Sequence, residues 1–270
     1  MQIITKKIMI SLMSITAIAT PLVAVSCGNS GETVNDAATK YFKPDEKGNQ
    51  IYYNKQTQTL DLSKDNKLEI ITQAMFSKEA TRVLKLSDQE RKDLTGVNLV
   101  KNVPNIIYIK KVILPASLKK IEKGAFLNQN IEEIVFANSS KLELIEENAF
   151  QNNKIKKLVL PKNVTLKQGA FSNNELTEVT LNGLKHINES VFAGNQLANI
   201  DLTGVESIKN SAFANNAFSS VELPNSVTLF SPKAFGVNRE KVQVNISKLS
   251  AELQEAIKKE LSEKDNIEIK

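Results

Sequence analysis

Residues 112–126 read Val-Ile-Leu-Pro-Ala-Ser-Leu-Lys-Lys-Ile-Glu-Lys-Gly-Ala-Phe, and variants of this stretch recur over more than half of the 270-residue chain. The closing Phe, preceded by Ala or once by Val, returns at spacings of 24, 21, 21, 21 and 22 residues. The members of this Phe column are Phe126, Phe150, Phe171, Phe192, Phe213 and Phe235. A period in the low twenties predicts a repeat solenoid, in which each repeat buries its apolar edge against its neighbours.

Other positions recur in phase with the Phe column. Five residues before each Phe stands an apolar residue, in order Ile121, Ile145, Leu166, Ile187, Ile208 and Phe230. Apolar pairs, two residues apart, precede or follow each Phe: Val112/Leu114, Ile134/Phe136, Leu158/Leu160, Val179/Leu181, Ile200/Leu202, Val221/Leu223 and, slipped by one residue, Val242/Val244. Because side chains alternate along an extended chain, each pair predicts a short strand with both members in the core.

An amide column lies three residues after each Phe. Its members are Gln129, Asn153, Asn174, Asn195, Asn216 and Asn238. The chain must turn there, and an amide side chain can bond backbone groups that have no ladder partner. We interpret this Asn column as structural rather than as a set of ligand contacts.

In these features the chain resembles the BspA-like leucine-rich repeats of bacterial surface proteins. The resemblance rests on residues 112–126 and on Val-Glu-Leu-Pro-Asn-Ser-Val at 221–227, and it covers about 103–246. It implies about six to seven leucine-rich repeats with a stacked parallel β-sheet, flanked by short helical caps. It further implies binding of macromolecular partners, with adhesion to a host as one form, although such solenoids have many partners.

The N-terminus predicts export and lipid attachment. Two lysines precede an apolar stretch at 8–19, and Ala24-Val25-Ser26 leads to Cys27, the only cysteine. The pattern is that of a signal peptide over 1–26, and it resembles the lipobox of bacterial lipoproteins. That resemblance implies a diacylglyceryl group on Cys27 and a place on the extracellular face of the cell membrane. The abundance of Lys, Asn and Ile resembles lipoproteins of wall-less bacteria.

The flanks of the repeats carry weaker signals. Residues 27–58 are polar and predict a disordered tether. Aromatic residues are uncommon in linkers, so some of the four in this segment are expected to dock on the solenoid: Tyr41, Phe42, Tyr52 and Tyr53. Residues 59–102 predict an N-terminal helical cap, because Leu68, Ile71 and Met75 recur at helical spacing. Residues 247–270 predict a C-terminal helix and tail, with the apolar stripe Leu249, Leu253, Ile257 and Leu261 and a cap at Ser247 or Ser250.

Charge and residue inventory argue against several functions. The formal charge of +5 falls to +3 without residues 1–26. A charge this small does not indicate a nucleic-acid-binding protein. His186 is the only histidine, and Glu132-Glu133 are neighbours that a strand would point to opposite faces. We therefore expect no enzyme, no cofactor, no metal and no nucleic-acid partner.

One column is expected to face outward between the members of each inward pair. This outward row contains Ile113, Val135, Val159, Thr180, Asp201 and Glu222, and it runs from apolar to acidic. Two positions earlier, Lys111, Glu133, Lys157 and Glu178 alternate in sign and predict cross-strand ion pairs. The apolar start has two interpretations of equal weight: a contact surface, or β-branched residues that simply suit strands.

The sequence thus favours a lipid-anchored surface protein whose solenoid binds a protein or another host-surface macromolecule through the outward row. The alternative is a solute-binding lipoprotein of a transporter, but such proteins need two α/β lobes around a cleft, for which the repeats leave no room. The oligomeric state is not predicted.

Overall fold

The computed structural model describes residues 40–42, 50–73, 75–76, 109–236, 238, 241–262 and 266–270. Over these ranges the chain winds into a parallel β-solenoid of about seven coils, which confirms the predicted class of fold. Each regular coil has a strand on a first wall, a strand on a second wall and then a corner that carries the Phe. Helix is a minor component of this structure.

The first wall carries the inward pairs that the sequence predicts. Its strands are β1 (Tyr53–Asn54), β2 (Thr59–Asp61), β4 (Lys111–Ile113), β6 (Glu133–Val135), β8 (Lys157–Val159), β10 (Glu178–Thr180), β13 (Ser220–Glu222), β15 (Val242–Asn245) and β16 (Ile267–Ile269). All pairings are parallel except that of β1 with β2, which is antiparallel. In most of these strands the central residue or the alternate residues are buried, as their spacing of two requires.

The second wall is built from two-residue strands that end on the apolar residue five positions before each Phe. They are β3 (Ile70–Ile71), β5 (Lys120–Ile121), β7 (Leu144–Ile145), β9 (Thr165–Leu166), β11 (His186–Ile187), β12 (Ser207–Ile208) and β14 (Leu229–Phe230). They form the parallel sheets β3-β5-β7-β9 and β11-β12-β14. A 3₁₀ helix, Pro232–Phe235, forms the last Phe corner.

The Phe column is a continuous stack of buried rings between the two walls. Neighbouring ring centroids are 5.1–6.3 Å apart and the rings are within 16° of parallel from one coil to the next. Phe76 adds a seventh ring, 5.4 Å from that of Phe126. Edge-on or tilted rings close both ends of the stack: Tyr41 and Phe42 at Phe76, and Phe218 at Phe235.

The Asn column forms a hydrogen-bonded ladder, which confirms its structural interpretation. The Asn195 amide donates to the carbonyls of Phe171 (3.1 Å) and Phe192 (3.0 Å), and its Oδ1 accepts from the backbone N–H of Leu176 (3.0 Å). Asn153, Asn174 and Asn216 repeat this pattern in their own coils. Each amide thus joins two coils by satisfying backbone groups that the turns leave unpaired.

The helical prediction for the start of the 59–102 region is wrong. Residues 59–73 and 75–76 form the first coil, with β2, β3 and the buried Phe76. Leu60 and Leu62 are an inward pair, and Ile71 stands five residues before Phe76, so the coil follows the same column pattern as the others. The apparent helical period arose because Leu68, Ile71 and Met75 face one core. The rest of the predicted cap, 77–102, lies outside the described residues.

The polar tether prediction is also wrong for the part that the structure describes. Residues 40–42 are helical, and β1 pairs with β2. Tyr41, Phe42 and Tyr53 are buried, as their aromatic character favoured. The predicted tether residues 27–39 and 43–49 lie outside the described ranges.

A buried carboxylate holds this N-terminal segment on the first coil. Asp65 Oδ2 lies 2.7 Å from Lys40 Nζ and accepts a 2.7 Å hydrogen bond from the Tyr41 hydroxyl, while Oδ1 accepts from the Lys67 backbone N–H at 3.2 Å. Burial of Asp65 opposes ionisation, but the hydrogen bonds from Lys40 and Tyr41 outweigh it and lower the pKa of the carboxyl group. The ionised form is therefore stabilised by folding.

Asp65→Asn should lower the free energy of unfolding by about 2 kcal/mol at pH 7, because it removes a charge-assisted hydrogen bond in a buried place. A carboxyl whose pKa is lowered in the folded state stabilises the fold above its unfolded pKa of about 3.9, and the effect fades as pH falls through the folded pKa. Urea unfolding at pH 7 and pH 3 measures this. The difference in free energy of unfolding between wild type and variant should be smaller at pH 3 than at pH 7. A difference that does not depend on pH would contradict the role given to the ionised Asp65.

The C-terminal helix prediction is confirmed. Helix α1 spans Ala251–Glu260, and the Ser250 hydroxyl accepts from the backbone N–H of Leu253, which makes Ser250 the N-cap. Leu249 and Ile257 are buried, while Leu253 and Leu261 are half-buried against the core. The predicted tail differs, because Ile267–Ile269 forms β16 beside β15 and extends the first wall.

Candidate binding face

The outward row lies on the solvent side of the first wall. Ile113 and Val135 are half-buried and in register with each other, and Val159 is 59% exposed. Thr180, in register with Val159, is exposed, as are Asp201 and Glu222. The same register extends the row to Asp61 at one end and to Asn245 at the other. These two end residues were missed in the sequence because Asp61 belongs to the unrecognised first coil and Asn245 follows the one-residue slip.

The inward pairs are buried on the other side of the same strands. Both members are buried in most coils, including Leu158 and Leu160 on either side of Val159. Phe136 and Ile200 are only half-buried against the core. The outward row is exposed because side chains alternate between the two faces of a strand. The apolar members of the row are therefore exposed although the core beneath them is well packed.

Ion pairs border the apolar part of the row, as the alternating signs predicted. Lys111 Nζ lies 2.8 Å from Glu133, and Lys157 Nζ lies 2.8 Å from Glu178. The hydrogen bond and charge of the Glu178 carboxylate raise the pKa of Lys157, so this lysine is protonated at neutral pH. Each pair joins strands of neighbouring coils, and the net charge beside the apolar residues is close to zero.

The first wall is not one continuous sheet. It divides into β1-β2-β4-β6, β8-β10 and β13-β15-β16. The strand predicted around Ile200 and Leu202 is absent, which corrects the sequence analysis. Asp201 Oδ1 accepts a 2.9 Å hydrogen bond from the backbone N–H of Thr203, at the turn that follows this position.

A shallow cleft of about 560 Å³ lies on the outward row beside this interruption. Its lining includes Asn199, Asp201, Ser220, Glu222, Asn245 and Lys270. The ion pair between Lys248 and Glu222 forms part of the lining. Sequence reasoning found the two carboxylates but not the cleft, because Lys248 and Lys270 come from the C-terminal cap, outside the repeat.

The remaining candidates for chemistry are isolated. His186 is exposed on β11, with Nδ1 3.0 Å from the Ser207 hydroxyl. Within the described ranges, no three His, Cys, Asp or Glu side chains come together to hold a metal ion. None of the described helices has the length and hydropathy of a membrane span. Cys27, the predicted lipid attachment site, lies outside the described residues.

Stacked coils of about 21 residues, each with a short parallel strand, an aromatic corner and an Asn turn, define a leucine-rich-repeat solenoid. A family profile described as BspA type Leucine rich repeat region matches residues 103–216 and 165–267, with six copies. The chain belongs to this family. Solenoids of this kind typically serve as scaffolds for protein interaction rather than as enzymes.

Two solved structures are similar to the chain. One is the pneumococcal vaccine antigen PcpA, with 26% identity over 53% of this chain and 32% of that one and a TM-score of 0.35. The other is a leucine-rich repeat protein from Bacteroides ovatus, with 18% identity over 52% of this chain and 50% of that one and the same TM-score. The chain thus spans about a third and a half of their lengths. No curated protein matches the chain.

Proposed function

We propose that the protein is a lipid-anchored protein of the outer cell surface and that its outward row binds another protein. The observation that supports this most is the run of Ile113, Val135 and Val159 on the solvent side of the first wall, where Val159 is 59% exposed. Contiguous apolar side chains on an exposed sheet face are a feature of interaction surfaces.

The surroundings of the apolar run suit a protein rather than a small solute or a nucleic acid. The run lies on an open face, and the ion pairs Lys111–Glu133 and Lys157–Glu178 border it without adding net charge. A protein interface combines such an apolar centre with a polar rim. Phosphate groups would instead require a basic face. The solute-binding alternative receives no support from one continuous solenoid, because it needs two lobes around a cleft.

The proposed lipid anchor determines how far the solenoid lies from the membrane. Lipidation of Cys27 rests on the lipobox-like sequence, and the described chain begins at Lys40, docked on the first coil through Asp65. Thirteen residue steps span at most about 45 Å when fully extended. The first coil would therefore lie near the membrane, with later coils available for contact with neighbouring or host proteins. Adhesion to a host is the finer hypothesis, from the family resemblance.

The test uses the chain from Cys27 onward, which is the mature form under this proposal. It is produced without export and biotinylated at Cys27, its single cysteine. We expect micromolar binding to members of an array of surface and matrix proteins. Changing Ile113, Val135 and Val159 together to Lys should weaken that binding more than ten-fold, because three buried apolar contacts are lost.

Leu229→Lys is the matched control. Leu229 is 54% exposed on β14 of the second wall, so it tests the effect of a new lysine at an exposed apolar site away from the outward row. This variant should bind like wild type. Binding that survives the triple substitution, or no binding to any member of the array at micromolar concentration, would contradict the proposal.

A further inference from the structure

The cleft on the outward row exposes main-chain groups that the rest of the first wall uses in its ladders. In the described part of the chain, the backbone groups of Asn199 and Ile200 make no hydrogen bond within the molecule, and β10 and β13 have no ladder partner on the sides that face them. These groups are open to solvent at the 560 Å³ cleft. Polar groups of a bound segment could therefore hydrogen-bond to these main-chain groups, which β2 and β4, paired on both sides, do not offer.

The charges of the cleft are arranged asymmetrically. Glu222 is paired with Lys248, and Lys270 lies on the same, C-terminal side. Asp201 is on the other side, nearer to Val159, and among the described residues it has no ion-pair partner. The hydroxyl and backbone N–H of Thr203 donate hydrogen bonds to Asp201 and lower the pKa of its carboxyl group, so the charge is present at neutral pH. A ligand that approaches from the apolar run meets an uncompensated carboxylate first.

We propose that the outward row binds an extended segment of a partner protein in which a lysine or arginine lies about three residues from an apolar side chain. The apolar side chain packs on Val159, and the cation lies against Asp201. This inference rests on the proposed function and specifies the partner of the same face.

The spacing follows from sheet geometry. Val159 and Asp201 are two coils apart, which is roughly 10 Å at about 4.8 Å for each strand. An extended segment that crosses the strands rises about 3.3 Å for each residue and so covers that distance in about three residues. Thr180, between them, is small enough to lie beneath the segment.

Other occupants fit these charges less well. A metal ion would have one unpaired carboxylate as its only charged ligand, since Glu222 is already paired. A nucleic acid would place phosphates against Asp201. A basic side chain satisfies Asp201, and the apolar contact beside it supplies the desolvated centre that an interface needs.

A displayed library of random twelve-residue peptides, selected on the biotinylated chain, tests the inference. Recovered peptides should be enriched in Lys or Arg about three residues from a large apolar residue. Their affinity should fall about five-fold in Asp201→Asn, which keeps the oxygen that accepts from Thr203, and the dependence of binding on salt should weaken in that variant. Lys248→Ala should strengthen binding about two-fold or more, because it releases the carboxylate of Glu222.

Glu189→Gln is the matched control, since Glu189 is exposed near the Phe corner, away from the outward row. It should leave the affinity unchanged. Peptides that lose binding to the triple lysine variant but bind Asp201→Asn as well as wild type would overturn this inference and leave the protein-binding face intact. Peptides that bind the triple variant equally well, or a selection that yields none dependent on the row, would overturn both.

Discussion

Phe171→Ala should lower the free energy of unfolding by about 4 kcal/mol. The ring is fully buried at the middle of the Phe column, with ring centroids of Phe150 and Phe192 at 5.2 and 6.3 Å. Its removal loses the burial of the ring and leaves a cavity between two coils, and such changes cost about 3–5 kcal/mol. Because each coil contacts only its neighbours, nothing else can fill the gap. Urea unfolding followed by circular dichroism measures the loss.

Phe171→Leu separates the stacked ring from the apolar volume. Leucine retains much of the volume but not the two aromatic contacts, each of which contributes about 0.5–1.5 kcal/mol beyond burial. We expect a loss of about 2 kcal/mol, between wild type and the alanine variant. If the free energy of unfolding of Phe171→Ala lies within about 0.5 kcal/mol of that of wild type, the Phe column does not hold the coils together.

Asn195→Ala should cost about 3 kcal/mol, although it removes no apolar contact. The N–H of Leu176 loses its acceptor in a buried place, which costs about 1–3 kcal/mol. The carbonyls of Phe171 and Phe192 each lose one of two amide donors, but Asn174 and Asn216 still donate to them. The loss is therefore concentrated on one unpaired N–H and on the link between two coils. Chemical denaturation of the purified variant measures it.

Asn199→Ala is the control for this prediction. Asn199 is exposed in the next coil, and within the described residues it makes no hydrogen bond. Its replacement should change the free energy of unfolding by less than about 0.5 kcal/mol, as at ordinary surface sites. Equal effects of the two substitutions would show that the Asn column has no special structural role.

The core of this fold could be predicted from sequence because the repeat places each residue type in the same surroundings several times. Phe171 and Asn195 each belong to a column. Several columns with the same period are best explained by stacked coils in which each column has one structural role. The first coil was missed because 32 residues, 77–108, separate Phe76 from the next coil and break the period. Its signal was present in Ile71 and Phe76, five residues apart as in every other coil.

The candidate face was only partly predictable. Alternation along a strand was enough to place Val159 outward, and the ion pair of Lys157 with Glu178 followed from the alternating signs. The cleft was not predictable, because it depends on the absence of an expected strand at Asp201 and on Lys248 and Lys270 from outside the repeats. Such features belong to single coils, where periodicity carries no information.

The division between interior and face is what connects this structure to its proposed function. Rings and amides hold neighbouring coils together, and they leave the outward row free to differ from coil to coil. The repeat determines the scaffold, while the apolar run and the cleft beside it depend on residues of single coils.

The most direct measurement is photo-cross-linking from the two most exposed large apolar side chains among the described residues, Val159 and Leu229. The photoreactive residue p-benzoylphenylalanine replaces Val159 in one variant and Leu229 in the other, and each is irradiated with a protein captured from the array. A covalent adduct from position 159 and none from 229 is the result expected if the outward row is the binding surface. An adduct from 229 but not from 159 would contradict the account.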